Sequence, residues 1–231
     1  MPSVLVTGAN RGLGLELVRC YLDQKWIVHA CCRNPDSADE LIQLSSKSNE
    51  LLTIHKLDVT QTRSIRALGR NLEGSSLDVL VNNAGVSIGR SDKFGSLNYS
   101  NWREMLNVNL FGPSAVSEEL ISNVEKSVRK LMVFVSSDLA SLKNHDGRTL
   151  YYYRTSKVSL NMLMRTIAFE LKDRGITLFS YHPGWIKTDM GGDQAPVDPK
   201  NSAISLALLI ESANISISGQ YFNWKGEELS W

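Results

Sequence analysis

The 231-residue sequence has little of what three broad classes of protein require. It carries only three cysteines, Cys20, Cys31 and Cys32, which lack CxxC spacing and cannot all pair. Its 25 basic and 24 acidic residues give a formal net charge of +1 without a basic run, which argues against a nucleic-acid surface. No apolar stretch reaches the roughly 20 residues of a membrane span. The sequence therefore excludes a disulfide scaffold and predicts no nucleic-acid partner and no membrane span.

The scarcity of cysteine also bears on the compartment. Three cysteines without a pairing pattern are typical of buried free thiols, which persist in a reducing environment. The first apolar run begins at Ser3 with no charged segment before it, so we expect no secretory signal. The four histidines, His29, His55, His145 and His182, lack metal-ligand spacing. We therefore expect a cytoplasmic protein without a metal site.

Apolar and amphipathic segments alternate along the chain. A composition of 42% hydrophobic and 21% charged residues suits one domain spanning residues 1–231. Apolar runs predict seven strands, at Val4–Thr7, Ile27–Cys31, Leu51–Leu57, Leu77–Asn82, Lys130–Ser136, Ile176–His182 and Gly219–Phe222. Helical patterns fall between them, at Gly12–Leu22, Ala38–Leu44, Thr62–Leu72, Asn101–Val124, Tyr151–Arg174 and Ser202–Ala213. This alternation predicts a single-domain, Rossmann-like α/β fold, with helices on both faces of a doubly wound parallel sheet.

Two irregular segments follow predicted strands, at Val86–Ser100 and Trp185–Lys200. The carboxyl ends of parallel strands share one edge of a sheet, and ligands bind at that edge in open α/β sheets. We therefore expect both segments beside a binding site. The second, rich in Gly, Pro and Asp, is the predicted substrate loop.

A glycine-rich turn directly follows the first predicted strand. The segment GANRGLG at 8–14 stands ahead of an amphipathic stretch from Leu15 to Leu22. Glycine permits a tight turn and a close approach of backbone to a pyrophosphate, and the following helix offers free N–H groups to that anion. This context predicts a dinucleotide site contacted by Gly8, Asn10, Arg11, Gly12, Leu13 and Gly14.

The end of the second predicted strand lacks the acidic residue that would bind the ribose hydroxyls of NAD. Arg33 stands there instead, 19 residues after Gly14. Its planar guanidinium, together with that of Arg11 in the glycine turn, suits the 2′-phosphate of NADP. The sequence therefore favours NADP(H) over NAD(H) as cofactor.

Tyr153 and Lys157 stand four residues apart in a segment whose composition favours helix. Residues i and i+4 share one helix face, about 6 Å apart. A phenol, with a reference pKa of about 10, is a poor acid at neutral pH. A positive charge about 5 Å away, at an effective dielectric of about 20, favours the phenolate by roughly 3 kcal/mol, or about two pKa units. The pair therefore predicts a tyrosine that exchanges a proton near neutrality.

With these motifs in view, the chain resembles the short-chain dehydrogenase/reductase family over nearly its whole length. The segment TGANRGLG at 7–14 resembles the family's TGxxxGxG cofactor motif, and NNAG at 82–85 resembles its strand-end motif. The segment PGWIKT at 183–188 resembles its PG motif. Beyond the glycine turn and Arg33, the resemblance implies cofactor contacts by Asp58, Val59, Asn82, Ala84, Gly85, Tyr153, Lys157, Pro183, Gly184, Ile186 and Thr188. Asp58 is equally suited to cap a helix N-terminus.

A closer resemblance is to the sniffer-type carbonyl reductases and C-factor-like proteins. It is carried by YRTSK at 153–157, HPGWIKTDMGG at 182–192 and NWKG at 223–226. Members of that branch are described as NADPH-dependent carbonyl reductases. The resemblance therefore implies hydride transfer from NADPH to a small-molecule aldehyde or ketone.

The resemblance also implies a catalytic set of Asn109, Ser137, Tyr153 and Lys157. The serine is the member that departs from the family pattern. A spacing of 13 residues before Tyr153 falls on Ala140, so we expect a three-residue insertion in the loop and choose Ser137. Ser136 and Ser141 remain alternatives.

Other functions are compatible with the same residues. An NADPH-binding regulatory protein with little turnover is the main rival, although such a protein would not require the proton-transfer side chains. An epimerase would need a larger substrate region, and a serine hydrolase would need a GxSxG elbow, which the sequence lacks. Pairing through the two long predicted helices would give a homodimer, unless their apolar stripes face their own sheet.

Overall fold

The computed structural model describes residues 1–89 and 92–231, and these contain one seven-stranded parallel sheet. Its strands are β1 (Ser3–Thr7), β2 (Ile27–Cys32), β3 (Leu52–Lys56), β4 (Val79–Asn82), β5 (Leu131–Val135), β6 (Thr177–His182) and β7 (Gln220–Asn223). Their order across the sheet is β3-β2-β1-β4-β5-β6-β7. The winding therefore reverses between β1 and β4, which opens a crevice at the carboxyl ends of those two strands.

Seven α-helices connect or flank the strands in the described part of the chain. They are α1 (Gly12–Asp23), α2 (Asp39–Lys47), α3 (Thr62–Asn71), α4 (Tyr99–Leu106), α5 (Gly112–Glu125), α6 (Tyr151–Glu170) and α7 (Pro199–Ser212). Short 3-10 turns lie at Pro35–Ser37, Asp138–Ala140, Lys172–Arg174 and Ile215–Ile217. None of the helices in the described ranges is long and apolar enough to cross a membrane.

The sheet is buried on both faces, which is why its central strands read as continuous apolar runs. Every residue of β1, β4 and β5 is buried. Side chains such as Val4 and Phe179 face a core shared with α1, α2 and α7. Their neighbours, such as Leu5 and Leu178, face a second core shared with α3, α5 and α6. The predicted Rossmann-like, doubly wound α/β fold is confirmed.

The predicted helix Asn101–Val124 is present in the structure, but its winding widens in the middle. A π-helical segment occupies Asn107–Phe111 between α4 and α5. Leu106, Phe111 and Gly112, at its two ends, all have right-handed helical backbone angles, so the segment is a π-bulge within a continuous helix, and Pro113 follows it closely. The buried Asn109 lies on this widened segment. Such bulges are frequent at functional sites.

The apolar stripes of α5 and α6 mostly face their own sheet. Val116, Leu120 and Leu160 are buried in the core beneath these helices. Phe169 on α6 is an exception, with 86% of its surface exposed. Most apolar side chains of these two helices therefore already pack within the subunit.

Candidate active site

A cleft of about 1090 Å³ opens at the carboxyl edge of the sheet. One half is lined by the glycine turn after β1 and by Arg33 and Asp58, which follow β2 and β3. The other half is lined by Ser137, which follows β5, and by Tyr153 and Lys157 on α6. The cleft therefore unites side chains that lie far apart in sequence at the place where α/β sheets bind ligands.

The glycine turn depends on close backbone contacts. Gly8 has a φ of +65°, and a Cβ there would lie 2.9 Å from Ala84 Cα. A Cβ on Gly14 would lie 2.3 Å from the carbonyl oxygen of Gly8. Gly14 does not line the cleft, because it packs α1 against the turn instead. Its role in the structure is to let the helix begin this close to the strand.

Thr7 and Asn83, which the sequence analysis did not single out, tie the glycine turn to the end of β4. Asn83 Nδ2 donates to the carbonyl oxygens of Thr7 at 2.8 Å and of Gly8 at 3.1 Å. Thr7 Oγ1 accepts the backbone N–H groups of Asn83 and Ala84, both at 3.0 Å. Asn82, the predicted contact, lies behind the cleft and donates to Ser117 Oγ at 2.9 Å. The polar residues at the strand end could have identified Asn83 as a candidate, but the sequence does not show which of the two asparagines faces the turn.

The start of α1 fits an anionic group. Its N-cap residue, Arg11, makes no side-chain cap hydrogen bond, and its first turn contains no acidic residue. The backbone N–H groups of that turn are therefore available, and the helix dipole adds partial positive charge. Gly8, Asn10, Gly12 and Leu13 line the cleft around this helix end. This arrangement fits the pyrophosphate of a dinucleotide.

The far end of the glycine half carries Arg33 and Asp58, with Val59 beside them. Arg33 is exposed on the cleft wall. Asp58 Oδ1 accepts the backbone N–H of Thr60 at 2.9 Å and its hydroxyl at 2.7 Å. The N-cap of α3 is Gln61, so Asp58 braces the preceding turn and does not cap that helix. Arg11 turns toward the opposite lip, where its Nη1 donates to Asp189 Oδ2 at 2.7 Å.

Tyr153 and Lys157 lie on the first turns of α6, as their spacing predicted. Lys157 is 4% exposed, and its Nζ donates to the Val135 carbonyl oxygen at 2.8 Å. The same nitrogen lies 5.8 Å from the centroid of the Tyr153 ring. Burial lowers the pKa of Lys157 to about 8. The phenol and its cationic neighbour therefore share one wall of the cleft, with the ammonium largely removed from water.

The structure separates the three candidate serines. Ser137 and Ser136 both line the cleft, whereas Ser141 does not, because its Oγ donates to the Trp231 carbonyl oxygen at 3.2 Å. Ser137 caps the 3-10 turn that follows β5, and its Oγ donates to Asp138 Oδ1 at 3.2 Å. Ser136 Oγ is fully buried, and Ser136 as a whole is 2% exposed against 6% for Ser137. Ser137 therefore has the more accessible hydroxyl.

Asn109 does not line the cleft but sits directly behind it. Its Nδ2 donates to the Val86 carbonyl oxygen at 2.9 Å and to Ser156 Oγ at 3.0 Å. Its Oδ1 accepts the Val86 N–H at 2.9 Å. A Cβ on Gly85 would lie 3.4 Å from Asn109 Oδ1 and 3.5 Å from Lys157 Nζ. Asn109 therefore joins the segment after β4 to α6 in the immediate neighbourhood of Lys157.

The loop after β6 closes the cleft from the other side. Lys187 N donates to the Val197 carbonyl oxygen at 2.8 Å, and Val197 N donates to that of Trp185 at 3.2 Å. These bonds fold residues 185–197 into a compact lobe. Four predicted contacts line the cleft from it and from the turn before it: Pro183, Gly184, Ile186 and Thr188.

Asp138 and His182 form a polar pair beside Ser137 that the sequence analysis did not predict. His182 Nε2 lies 3.7 Å from Asp138 Oδ2, and both residues line the cleft. Burial lowers the pKa of His182, while the nearby Asp138 carboxylate acts in the opposite direction. The described residues contain no group of three or more His, Cys, Asp or Glu side chains that could hold a metal ion.

Comparison with known proteins agrees with this geometry. The family model "short chain dehydrogenase" matches residues 2–197. C-signal from Myxococcus xanthus is 32% identical over 167 residues, which is 72% of this chain and 100% of that protein. An NADPH-bound carbonyl reductase from chicken fatty liver superposes with a TM-score of 0.92 at 32% identity, covering 100% of this chain and 99% of that one. The carbonyl reductase Sniffer of D. melanogaster superposes with a TM-score of 0.94 at 30% identity, covering 100% of both chains. The chain therefore belongs to the short-chain dehydrogenase family of oxidoreductases.

Proposed function

We propose that this oxidoreductase is an NADPH-dependent carbonyl reductase that reduces a small-molecule aldehyde or ketone. The observation that carries the proposal is one cleft with two chemically distinct halves. The glycine turn, the uncapped start of α1 and Arg33 suit a phosphorylated dinucleotide. The opposite half is lined by Ser137, Tyr153 and Lys157. NADPH, when bound, supplies the hydride.

In the proposed reaction Tyr153 donates a proton to the carbonyl oxygen of the substrate. Ser137 donates a hydrogen bond to the same oxygen and stabilises the negative charge that develops there. To do so its hydroxyl turns away from Asp138, the acceptor it has at 3.2 Å. Lys157 keeps a positive charge near the phenol, which favours release of the phenolic proton.

Proton resupply is assigned to Asn109 and Lys157. Both Nδ2 hydrogens of Asn109 are committed to Val86 and Ser156. Oδ1 accepts one N–H and retains a second lone pair. In the proposal this lone pair holds a water that passes protons between solvent and Lys157. Asn109 Oδ1 and Lys157 Nζ lie 3.4 and 3.5 Å from the place that a Cβ on Gly85 would take.

We assign the choice of NADPH to Arg33. Its exposed guanidinium lines the adenosine end of the cleft, where a 2′-phosphate would add nearly two negative charges. The chicken and Pseudomonas aeruginosa carbonyl reductases similar to this chain have been solved with NADPH and NADP, respectively. Arg33→Ala is expected to weaken NADPH binding by roughly 10- to 100-fold and to leave NADH binding nearly unchanged. Equal losses for both cofactors would contradict this assignment.

The assay that tests the function follows the loss of NADPH absorbance with a panel of quinones, diketones and aldehydes. Turnover of one or more of these carbonyls is expected, and more slowly with NADH than with NADPH. Tight NADPH binding without turnover of any of them would favour the rival regulatory role. The similarity to C-signal is the reason to test for that role, although pure binding would not need Ser137, Tyr153 and Lys157 in the same cleft.

The proposal includes a cytoplasmic location and a homodimer. The first is supported by three free cysteines, of which Cys31 and Cys32 are buried. The second is supported by the exposed Phe169 on α6, which offers apolar surface to a second copy. Sedimentation of Phe169→Asp against the unaltered chain tests the dimer, because a monomer in both cases would contradict it.

A further inference from the structure

We propose that Arg11 and Asp189 form a clasp across the cofactor cleft that slows the release of either dinucleotide, and that Asp189 is thereby a further cofactor-positioning residue. The inference rests on the proposed function. It changes the role predicted for Arg11, which the sequence assigned to the 2′-phosphate of NADP.

The two residues come from opposite lips of the cleft. Arg11 belongs to the glycine turn, and Asp189 belongs to the lobe at 185–197, 178 positions further along the chain. Arg11 Nη1 donates to Asp189 Oδ2 at 2.7 Å, and both residues line the cleft. The glycine turn follows β1 and the lobe follows β6, and both strands belong to one sheet. The sheet therefore joins the two lips at their base, and the ion pair joins them across the opening of the cleft.

A second contact shows that the lips meet at this point. A Cβ on Gly12 would lie 3.1 Å from Thr188 Cγ2, so the turn and the lobe approach each other one residue beyond Arg11 and one before Asp189. Thr188 is itself fixed, because its carbonyl oxygen accepts the Gly192 N–H at 2.7 Å. Asp189 is therefore presented from an ordered lobe.

The contact spans the start of α1, the place that suits the pyrophosphate. Arg33 lines the cleft at its adenosine end, whereas the catalytic wall lies at the other end. Because it is the N-cap of α1 and its guanidinium is bonded to Asp189, Arg11 lies at the lip of the cleft beside that helix start. The two arginines therefore have different roles in the proposal: Arg33 selects the 2′-phosphate, and Arg11 retains the dinucleotide.

The size of the effect follows from exposure. The side chains of Arg11 and Asp189 are 68% and 74% exposed, so solvent and salt weaken their attraction. Exposed pairs of this kind typically change an equilibrium by about two- to fivefold. The clasp should therefore modulate dissociation rates and leave the hydride-transfer chemistry unchanged.

The test is stopped-flow measurement of NADPH and NADH dissociation for the unaltered protein, Asp189→Asn, Arg11→Gln and the double variant. A clasp predicts that each single variant releases both cofactors about two- to fivefold faster, and that the double variant is no faster than either single one. High salt should remove the difference between unaltered and variant proteins. The KM for cofactor should rise without a fall in the rate of the chemical step.

Asp193→Asn is the matched control, because Asp193 is an exposed carboxylate in the same lobe and makes no ion pair in the described part of the chain. It removes the same charge and should leave both dissociation rates unchanged. Slower NADPH release from Asp189→Asn would show that Arg11 reads the 2′-phosphate once freed, and would overturn the clasp alone. Unchanged rates in both single variants would do the same. Failure of the unaltered protein to bind either dinucleotide would overturn the clasp together with the proposed function.

Discussion

The ammonium of Lys157 is anchored on the carbonyl oxygen of Val135, the last residue of β5, at a distance of 2.8 Å. Val135 directly precedes the serine pair, so this one hydrogen bond ties the helix that carries Tyr153 to the strand end that carries Ser137. Burial destabilises the ammonium charge, because Lys157 is only 4% exposed and loses most of its hydration. The position that lets Lys157 join these two elements is therefore also the one that makes it easier to deprotonate.

This coupling predicts a pH limit on reduction. The pKa of Lys157 is lowered to about 8, so the ammonium form prevails below that pH and is lost as the pH rises through it. We expect kcat/KM for NADPH, which reports the free enzyme, to be level at lower pH and to fall as the pH rises through about 8. A kcat/KM that rises across the same interval would contradict the need for a charged Lys157.

The same burial predicts a gain in stability when the charge is removed. An unfolded lysine keeps its proton to about pH 10, whereas folded Lys157 releases it near 8, so below that pH folding bears the cost of a buried charge. Lys157→Met should raise the free energy of unfolding at pH 7 by about 1 to 3 kcal/mol while abolishing turnover. The gain should shrink as the pH rises above about 8 and vanish at about pH 11, where both states of the unaltered protein are neutral. Urea unfolding at the two pH values measures it, and a loss of stability at pH 7 would show that the bond to Val135 outweighs desolvation.

Removal of the phenolic hydroxyl should separate chemistry from binding. Tyr153→Phe deletes the proposed proton donor and keeps the ring beside Lys157. We expect kcat to fall by about 10²- to 10⁴-fold, with the Kd for NADPH changed little, because general acid catalysis contributes on that scale. Tyr152→Phe is a suitable control, since the Tyr152 hydroxyl is bonded to Asp92 and to the Asn98 N–H, away from the cleft. Retention of activity by the Tyr153 variant on every substrate would refute the assignment.

The features that the sequence predicted are those that depend on neighbours along the chain. Tyr153 and Lys157 needed only helical spacing, and the glycine turn needed only a strand before it and a helix after it. The Arg11–Asp189 pair could not be predicted, because it joins residues 178 positions apart and depends on how two loops meet. The π-helical segment at Asn107–Phe111 was missed for a different reason, because the apolar pattern of the sequence continues through it.

The sequence also could not distinguish Asn82 from Asn83. The polar strand end identifies both residues, but only the structure shows that Asn83 faces the glycine turn. Asn83→Ala would remove the two bonds to the carbonyl oxygens of Thr7 and Gly8, leaving both without these donors. We expect a loss of about 1 to 3 kcal/mol in the free energy of unfolding, because those groups are partly buried. A looser turn would also weaken NADPH and NADH binding alike, since Asn83 contacts the shared pyrophosphate region and lies away from Arg33.

Asn82→Ala is the matched comparison for that prediction, because its amide donates to Ser117 behind the sheet. Its removal should lower stability by a similar amount and leave both dissociation constants unchanged, as measured by fluorescence titration. If the Asn82 variant lost cofactor affinity and the Asn83 variant kept it, the glycine turn would not depend on Asn83. Asn82, the contact that the family resemblance implied, would then be the asparagine that acts on the cofactor, even though its side chain faces α5.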